Sequence, residues 1–573
     1  MISTFEHAGT CAKFQRLLRS PLFWILALAA LYRIPGLFWG LPGSDGWDTD
    51  GVAPRNFLVG LAQTYAPGQH FTYPPLHMLL LALLTWPGWA LALAKAHSLS
   101  SHDVIGEMIR VPIMTFFSVT ARLVSAAVSL GTIYIVARMA ELVGGRRAGW
   151  FAAAACAINA GFTFYSQVSN LDGPYLFWTS LSLLAWMRLI AEHDLRQLRY
   201  GTLAAAAAVA TKDQAYAVFI LAVPAVLALW FALDRWAQQN VRRIFSLLLA
   251  WGGLSLFLLL LIDGAITNPT GFAGRLAFLT GPATRDYVEY TRDWAGRIRL
   301  VEDMATFFVR PAAFALLAGF GIVLCAARVR RDAPASIAAL VPILAAVSFT
   351  LAFNFVALRS EVRFLLPQAL LVAVYAGLAA EWLASLPPPV LRSLGALYLL
   401  FVFLGGLYAC TGIAAAMVND PRYDTERWLQ AHAAHGASVE TYGLNAYLPR
   451  FPDGTLVTRL DTKPAKRRSP LPDVTELDQP FDALPMRHPR FIVVSGFWVR
   501  RYLDDSQPAA GRVFQLASRS VREQARTQEY FRVLLAGKLG YRIVHRSAYD
   551  PGFWPATDDY AGVGQTVYVL ERR

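Results

Sequence analysis

Long apolar segments recur along the chain from Pro21 to Met417, separated by short links of charged and helix-ending residues. Each segment is close to the roughly 20 residues that a helix needs to cross about 30 Å of hydrocarbon. The pattern predicts about eleven membrane-spanning helices, at 20–41, 114–140, 148–167, 173–191, 197–212, 214–233, 243–263, 305–326, 335–357, 364–383 and 392–416. The predicted fold class is therefore mainly α, with a polytopic helical membrane domain.

One further apolar stretch, residues 74–96, is interrupted by Trp86-Pro87-Gly88-Trp89. Pro and Gly break helices, so a single straight helix is not expected there. Counting the stretch as a full span would also move the basic pair Arg146–Arg147 to the outer side of the membrane. We therefore predict a bent, re-entrant or interfacial hairpin, the alternative being a Pro-kinked true span together with one miscounted neighbour.

The basic links set the expected orientation, because cytoplasmic loops of membrane proteins carry an excess of Lys and Arg. The rule places four links in the cytoplasm: Arg146–Arg147, Arg196–Arg199, Arg235–Arg243 and Arg328–Arg331. The N-terminal tail is expected on the same side, and its first apolar run is interpreted as a retained signal anchor. Eleven spans then put the C-terminal tail outside.

The chain accordingly divides into three predicted parts. These are a cytoplasmic tail at 1–19, a membrane domain at 20–417 with an outer loop at 41–73, and an extracytoplasmic domain at 418–573. In the last part a helical pattern at Arg422–Ala434 precedes four strand-like segments: Ser438–Tyr442, Phe491–Ser495, Tyr541–His545 and Gln565–Leu570. Residues 462–480, rich in Pro, Lys and Arg, are predicted to form a surface loop. We expect a small α/β domain.

Composition agrees with this organisation and excludes other classes of protein. The chain is 55% hydrophobic and 16% charged, with a mean hydropathy of +0.40, which excludes soluble, fibrous and disordered proteins. The net charge of +13 comes mainly from Arg in the short links. It therefore reflects membrane topology, and we expect membrane lipid and no nucleic acid among the partners.

Two predicted outer loops, residues 41–73 and 263–304, are too long to be mere turns, and long ordered loops are usually functional. The first places Asp45, Asp48 and Asp50 at the boundary between water and lipid. One Asp would suffice to cap the helix-like segment that follows. A carboxylate in low-dielectric surroundings can instead serve as a general base, and Asp48 and Asp50 also have the spacing of a ligand pair for a hard cation. The second loop is expected to lie on the lipid headgroups, the alternative being a substrate role.

Further polar residues cluster on the same predicted side, and charges at membrane depth need partners. His77 opens the bent stretch, with structural and substrate-binding roles equally open. Asp172, Lys212 and Asp213 are expected either to pair with each other at helix ends or to bind substrate. Arg33 lies in the outer part of the first span. Arg363, directly before an apolar helix and four residues after Arg359, suits phosphate, because guanidinium binds phosphate bidentately.

Five short motifs, in this order, resemble those of the superfamily C (GT-C) membrane glycosyltransferases. They are Trp47-Asp48-Thr49-Asp50, Tyr73-Pro74-Pro75-Leu76, Ser169-Asn170-Leu171-Asp172-Gly173-Pro174, Thr211-Lys212 and Arg363-Phe364-Leu365-Leu366-Pro367. The resemblance covers about 20–380, and it is greatest to the dolichyl-phosphate-mannose protein mannosyltransferases and the lipid A aminoarabinose transferases. It implies a multi-pass protein of a bacterial-type cytoplasmic (inner) membrane, with the active site on the outer side.

The resemblance also implies a reaction. The donor would be a sugar on a polyprenyl phosphate, the acceptor a glycan, lipid or protein, and the configuration at the sugar would invert. The base would be Asp48, with Asp50 and Asp45 as rivals, because Thr49 stands where the family pattern has a second acidic residue. Arg363, with Arg359 or Lys212, would bind the phosphate.

Some relatives have a basic residue where this chain has Tyr73, so His77 is the candidate to replace it. The resemblance requires no cofactor, although Asp48 and Asp50 would permit a divalent metal. A different class of protein, a transporter or flippase of lipid-linked intermediates, also has buried charges and remains the alternative function. A non-catalytic assembly subunit is a third.

Overall fold

The computed structural model describes residues 18–43, 46–48, 56–285, 288–309, 312–462, 464–468, 471–503, 521–557, 560 and 562–573. Helices dominate the chain as far as residue 432. The longer ones, of eight residues or more, are Pro21–Leu31, Asn56–Tyr65, Leu76–Leu84, Trp86–Lys95, Ser101–Met108, Val111–Ala157, Asp172–Glu192, Gln197–Thr211, Ala222–Leu233, Val241–Ile262, Pro269–Thr280, Trp294–Val309, Ala312–Ala327, Val341–Phe349, Leu366–Ala384, Pro389–Val418 and Pro421–His432.

Shorter helical pieces connect the long ones. They are Ile34–Phe38, Ala160–Tyr165, Asp213–Ala215, Tyr216–Phe219, Arg235–Gln239, Pro282–Arg285, Pro334–Ala338, Thr350–Asn354, Phe355–Ala357 and Val362–Phe364. Each of the eleven predicted spans is helical over most of its length. Within the described residues seven helices are long and apolar enough to cross a membrane, or up to nine if each of two bent pairs is one span. The protein is a multi-pass membrane protein, and the number of eleven spans stays a prediction.

The longest helix contains a break that the sequence pattern anticipates. Val111–Ala157 runs for 47 residues, but Gly145 has a φ of +82°, outside the helical region. Glycine adopts positive φ without steric cost. The break separates the predicted spans 114–140 and 148–167, with the basic pair Arg146–Arg147 directly after it.

The interrupted apolar stretch is bent, as predicted. Helices Leu76–Leu84 and Trp86–Lys95 meet at an angle of 65°. Thr85 lies at the junction, where its hydroxyl donates to the Leu81 carbonyl at 2.7 Å. Pro87 lacks the N–H that a continuous helix needs, so the second helix restarts in a new direction.

Small residues allow the membrane helices to approach one another closely. Helix Leu366–Ala384 packs along Val111–Ala157, and a Cβ on Gly377 would lie 2.6 Å from the Ala148 carbonyl oxygen. Close backbone contact of this kind stabilises helix pairs in lipid, where the hydrophobic effect contributes little. The main buried cluster of apolar side chains lies between these helices.

A six-stranded sheet follows the last long helices. Its strands are β1 Ser438–Tyr442, β2 Leu456–Leu460, β3 Val474–Leu477, β4 Phe491–Ser495, β5 Tyr541–Ser547 and β6 Val567–Arg572. The strand order is β3-β2-β1-β4-β6-β5. The first four strands pair in parallel, whereas β6 runs antiparallel to β4 and β5.

The remaining elements of this region are helices. They are Asn445–Tyr447, Ala465–Arg467, Phe481–Ala483, Leu484–Arg487, Gly496–Leu503 and Val521–Leu535. Apolar clusters cover both faces of the sheet. The predicted fold class, a helical membrane domain followed by a small α/β domain, is therefore confirmed, while the domain boundaries stay predictions.

The sheet also corrects one expectation. Residues 462–480 were expected to form only a surface loop, yet β3 lies inside them and pairs with β2. Arg459 of β2 is almost fully buried and pairs with Glu476 of β3 at 2.5 Å. Strands are recognised in a sequence by alternating apolar residues. Here Arg459 occupies a buried position in β2 and Glu476 a partly buried position in β3, so the alternation is interrupted.

Candidate functional site

Asp48 lies at the end of a short segment that follows the first helical region. Its Oδ2 accepts hydrogen bonds from the backbone N–H and the hydroxyl of Ser169, at 3.2 and 2.7 Å. Arg122 donates from Nε to Oδ2 at 3.2 Å and from Nη2 to Oδ1 at 3.1 Å. These four donors fix the orientation of the carboxylate, and its buried negative charge is compensated by Arg122.

Arg122 is a site residue that sequence reasoning missed. It lies within the apolar helix Val111–Ala157, and its side chain is wholly buried. Besides Asp48, it donates from Nη1 to the carbonyls of Leu37 and Trp39, at 3.1 and 2.8 Å. A lone Arg inside an apolar run is costly without a partner, and that signal could have identified it.

A second buried ion pair lies at the other end of the Ser169–Asp172 segment. Lys212 Nζ donates to Asp172 Oδ1 at 2.5 Å, and the Asp172 side chain is wholly buried. The expected pairing of these two residues at helix ends is thus observed. In the part of the chain that the structure describes, Asp172 Oδ2 has no hydrogen-bond partner. A buried carboxylate oxygen without a partner is costly, which makes it a candidate acceptor for a ligand hydroxyl.

The three cations predicted to bind phosphate meet around one aromatic ring. Measured to the centroid of the Phe364 ring, the Arg363 guanidinium lies at 4.6 Å, the Arg359 guanidinium at 5.5 Å and the Lys212 ammonium at 5.9 Å. Cation–π contacts of this kind hold the charges close together despite their repulsion. Arg363 also pairs with Glu361, which is half exposed, at 2.8 Å.

Contacts therefore run without interruption from the first outer loop to the arginine motif. Asp48 binds Ser169, the adjoining segment ends at Asp172, Asp172 binds Lys212, and Lys212 shares the Phe364 ring with the arginines. Four of the five motifs that carry the resemblance contribute to this chain of contacts. Ser169 lies 121 positions after Asp48, and Lys212 lies 40 positions after Asp172, yet these side chains are in direct contact.

The second outer loop packs on the arginine motif. Glu289 receives a hydrogen bond from the Ser360 backbone N–H at 2.8 Å and donates its own N–H to the Leu358 carbonyl at 3.0 Å. Arg359 donates to the carbonyl of Ala283 at 2.7 Å. Burial, followed by the charge of Glu361, raises the pKa of Glu289 to about 7. The loop thus contacts the backbone that carries the arginines, and its position on the lipid headgroups stays a prediction.

Another cluster lies next to Lys212. Asp213 does not join the pair of Asp172 and Lys212 but binds Arg275, which lies in the second outer loop. Arg275 also pairs with Asp263 at 3.5 Å. Asp263 directly follows the helix Val241–Ile262. This three-residue cluster anchors the second outer loop to the turn that carries Lys212.

Two predicted site residues lie apart from this arrangement. Arg33 is buried among helices, where it donates to Ser129 Oγ at 2.7 Å and to the Ala29 carbonyl at 2.6 Å. His77 is buried at the start of the helix Leu76–Leu84. Among the described residues, none of the hydrogen bonds or ion pairs found joins either of them to Asp48 or to the three cations. Their assignment to substrate stays a prediction.

The other two candidate bases, Asp45 and Asp50, lie outside the described residues. Asp50 is also one of the two carboxylates, with Asp48, that would permit a metal, so that pair is only partly described. Across the described ranges, no group of three or more His, Cys, Asp or Glu side chains is placed to hold a metal ion. Asp48 itself is occupied by Arg122 and Ser169.

Solved structures match the chain over almost its whole length. ArnT from Cupriavidus metallidurans in the apo state aligns with a TM-score of 0.51 and 15% identity, covering 95% of this chain and 97% of ArnT. ArnT bound to undecaprenyl phosphate aligns with a TM-score of 0.50 and 13% identity, with coverage of 95% and 97%. The oligosaccharyltransferase of Archaeoglobus fulgidus aligns with a TM-score of 0.48 and 13% identity, covering 96% of this chain and 88% of that one.

This chain shares the fold of ArnT. Because ArnT belongs to the GT-C superfamily, the predicted resemblance is confirmed at the level of the fold. No protein-family model and no curated protein sequence matches the chain. Since many activities can occupy one fold, function has to be argued from the residues of this chain.

Proposed function

We propose that the protein is a glycosyltransferase that moves a sugar from a polyprenyl-phosphate donor to an acceptor outside the cytoplasmic membrane. The acceptor is a glycan, lipid or protein, and the sugar carbon inverts. One observation carries the proposal: Lys212, Arg359 and Arg363 surround the Phe364 ring and are linked by contacts to Asp48. The shared fold with ArnT, which has been crystallised with undecaprenyl phosphate, supports this class of donor.

The three cations suit the leaving group of this reaction. When the bond between the sugar C1 and the phosphate oxygen breaks, negative charge grows on the departing polyprenyl phosphate. Such a leaving group needs no proton, but fixed positive charges at that oxygen stabilise the transition state. Arg359 and Arg363 can bind phosphate bidentately, and Lys212 adds a point charge. An apolar surface between the helices would hold the lipid tail.

Asp48 suits the acceptor side. The attacking hydroxyl loses its proton as it bonds to C1, and a positioned carboxylate contributes on the order of 100- to 10,000-fold to such a step. Arg122 Nη2 is the donor that we observe on Asp48 Oδ1, whereas Oδ2 accepts three hydrogen bonds. Oδ1 is therefore the atom available for the proton. Asp172 Oδ2, which has no hydrogen-bond partner among the described residues, is the proposed acceptor for a hydroxyl of the donor sugar.

The proposal is tested by transfer assays in membranes containing the protein. The probes are undecaprenyl phosphate carrying mannose, glucose or 4-amino-4-deoxyarabinose, and the readout is release of undecaprenyl phosphate with covalent labelling of acceptor. We expect Asp48→Asn to reduce the rate at least 100-fold, while Asp103→Asn, at an exposed carboxylate, keeps it.

A wild-type rate in stably expressed Asp48→Asn would remove the catalytic assignment. Passage of the intact lipid-linked sugar across the bilayer without covalent change would instead support the transporter alternative. The proposed location is tested separately with cysteines introduced near Arg146 and Ser438. In intact cells, the first should be protected from a membrane-impermeant label and the second should react.

A further inference from the structure

An arginine of the C-terminal region reaches the first outer loop. Arg422 lies at the start of helix Pro421–His432, and its side chain and that of Asp420 are wholly buried. Arg422 donates from Nε and Nη2 to the two Asp420 oxygens, at 2.8 and 2.7 Å. The guanidinium also lies 3.9 Å from the ring centroid of Trp47 and 5.1 Å from that of Trp39. Trp47 directly precedes Asp48.

Hydrogen bonds join the same two parts of the chain around this contact. Trp39 Nε1 donates to Asp420 Oδ2 at 3.1 Å, and Trp47 Nε1 donates to the Leu448 carbonyl at 2.9 Å. The Gly40 N–H donates to the Tyr423 hydroxyl at 3.0 Å. Trp39, Gly40 and Trp47 are thus bound by the C-terminal region, while Arg122 binds the Trp39 carbonyl and Asp48.

We propose that Arg422 is a positioning residue for the transfer step. By stacking on Trp47 it fixes the backbone that presents Asp48 to Arg122 and Ser169, so the C-terminal region sets the position of the base. The inference rests on the proposed role of Asp48. Among the contacts of the described residues, none joins Arg422 to the cations around Phe364, and donor phosphate binding should therefore be independent of Arg422.

The chemistry of Arg422 matches this role better than packing alone would require. A planar guanidinium can pair bidentately with Asp420 in its own plane while its face lies on an indole. Burying an ion pair removes both charges from water, and this cost can exceed the attraction between them. An apolar side chain of similar volume would fill the same space without that cost. The ion pair, together with hydrogen bonds from Arg422 to the carbonyls of Ala446 at 2.5 Å and Gly562 at 2.6 Å, holds the guanidinium in one position against Trp47.

The test compares Arg422→Met with Arg427→Met, an exposed arginine on the same helix whose guanidinium pairs with Asp424. Hydrogen exchange of the peptide covering 39–48 and of β1 and β4 is followed by mass spectrometry. For Arg422→Met we expect exchange of the loop to rise at least tenfold while the sheet stays protected. Turnover with the undecaprenyl-phosphate sugars should fall at least tenfold, with unchanged affinity for undecaprenyl phosphate. Arg427→Met should change neither.

Two further variants keep the test decisive if Arg422→Met does not fold. Asp420→Asn with Arg422→Met removes both buried charges and leaves no unpaired carboxylate. Trp47→Leu removes the ring from the other side of the contact, while Trp47→Phe keeps a ring face and should retain most of the turnover. If the peptide covering 39–48 exchanges hydrogen at the wild-type rate in Trp47→Leu and in the Arg422 variants, the inference is overturned.

The outcomes separate the inference from the proposed function. If Asp48→Asn keeps the wild-type rate but Arg422→Met loosens the loop, Asp48 is not the base although Arg422 positions its loop. If Asp48→Asn is inactive and Arg422→Met leaves loop exchange and turnover unchanged, the proposed function stands and the positioning role is refuted. A loss of affinity for undecaprenyl phosphate equal to the loss of turnover would also refute it.

Discussion

Replacement of Arg122 by Met tests the ion pair that holds Asp48. The variant removes a guanidinium that makes four hydrogen bonds, two of them to Asp48 and two to the backbone carbonyls of Leu37 and Trp39. Met occupies much of the vacated volume, so the main change is electrostatic. It leaves Asp48 with Ser169 as its observed donor and without a compensating charge.

The expected cost is about 3–5 kcal/mol of unfolding free energy, the range found when one partner of a buried pair is removed. The Arg122 side chain is wholly buried and that of Asp48 is 7% exposed, so solvent screening reduces this cost little. Arg138 provides a control on the same helix. It pairs with Glu141 at 2.5 Å, but the side chains are 37% and 29% exposed. Such partly exposed pairs contribute about 0–1 kcal/mol, so Arg138→Met should change stability little.

The assay is thermal unfolding in detergent, read for the wild type, Arg122→Met, Arg138→Met and the double variant Asp48→Asn/Arg122→Met. We expect Arg122→Met to melt several degrees below Arg138→Met. The double variant should melt above Arg122→Met, because neutral Asn removes the unpaired buried charge. Equal melting of the two Arg variants, or a double variant less stable than Arg122→Met, would refute the account of this pair.

Three further outcomes follow from the site geometry. Gly46→Ala should reduce transfer at least tenfold, because the added Cβ would overlap Arg122 Nη2, whereas Gly106→Ala, with open space around it, should not. The melting temperature of Glu289→Gln should rise relative to that of the wild type as the pH is raised from 5 to 8. The folded-state pKa of Glu289, about 7, exceeds its ordinary value of 4.5, so stability from its protonated form is complete below pH 4.5 and lost through pH 7. A difference in melting temperature between the two proteins that stays constant from pH 5 to 8 would contradict this prediction. Arg363→Ala should weaken undecaprenyl phosphate binding by more than about 2 kcal/mol, and unchanged affinity and turnover would remove its phosphate role.

The membrane helices could be predicted because each apolar run is self-contained. In the C-terminal region, β1 and β4 have the predicted bounds: β4 is apolar up to Ser495, and β1 contains Val439, Thr441 and Tyr442, residue types that favour strands. Strand β2 was missed because it contains a buried Arg459, whose partners Glu476 and Asn445 lie in other parts of the chain. A local pattern cannot show such a partner.

The residues of the candidate site also divide into those that the sequence could identify and those that it could not. Lys212 and Arg363 lie in short motifs, and Arg359 lies four residues before the second of them, all next to apolar helices where charges are conspicuous. Arg122 was missed because its partner Asp48 lies 74 positions away. Arg422 was missed because an arginine in a polar helix gives no sign of burial, and its contacts depend on how two distant parts of the chain pack.

The central claim is that the cations around Phe364 bind the donor phosphate in the same site as Asp48. A cryo-electron microscopy structure of the full chain in lipid nanodiscs with undecaprenyl phosphate tests it most directly. We expect the phosphate within hydrogen-bond distance of Arg363 and of Lys212 or Arg359, with a cavity joining it to Asp48 Oδ1. A phosphate bound elsewhere, or separated from Asp48 by packed protein, would contradict the claim.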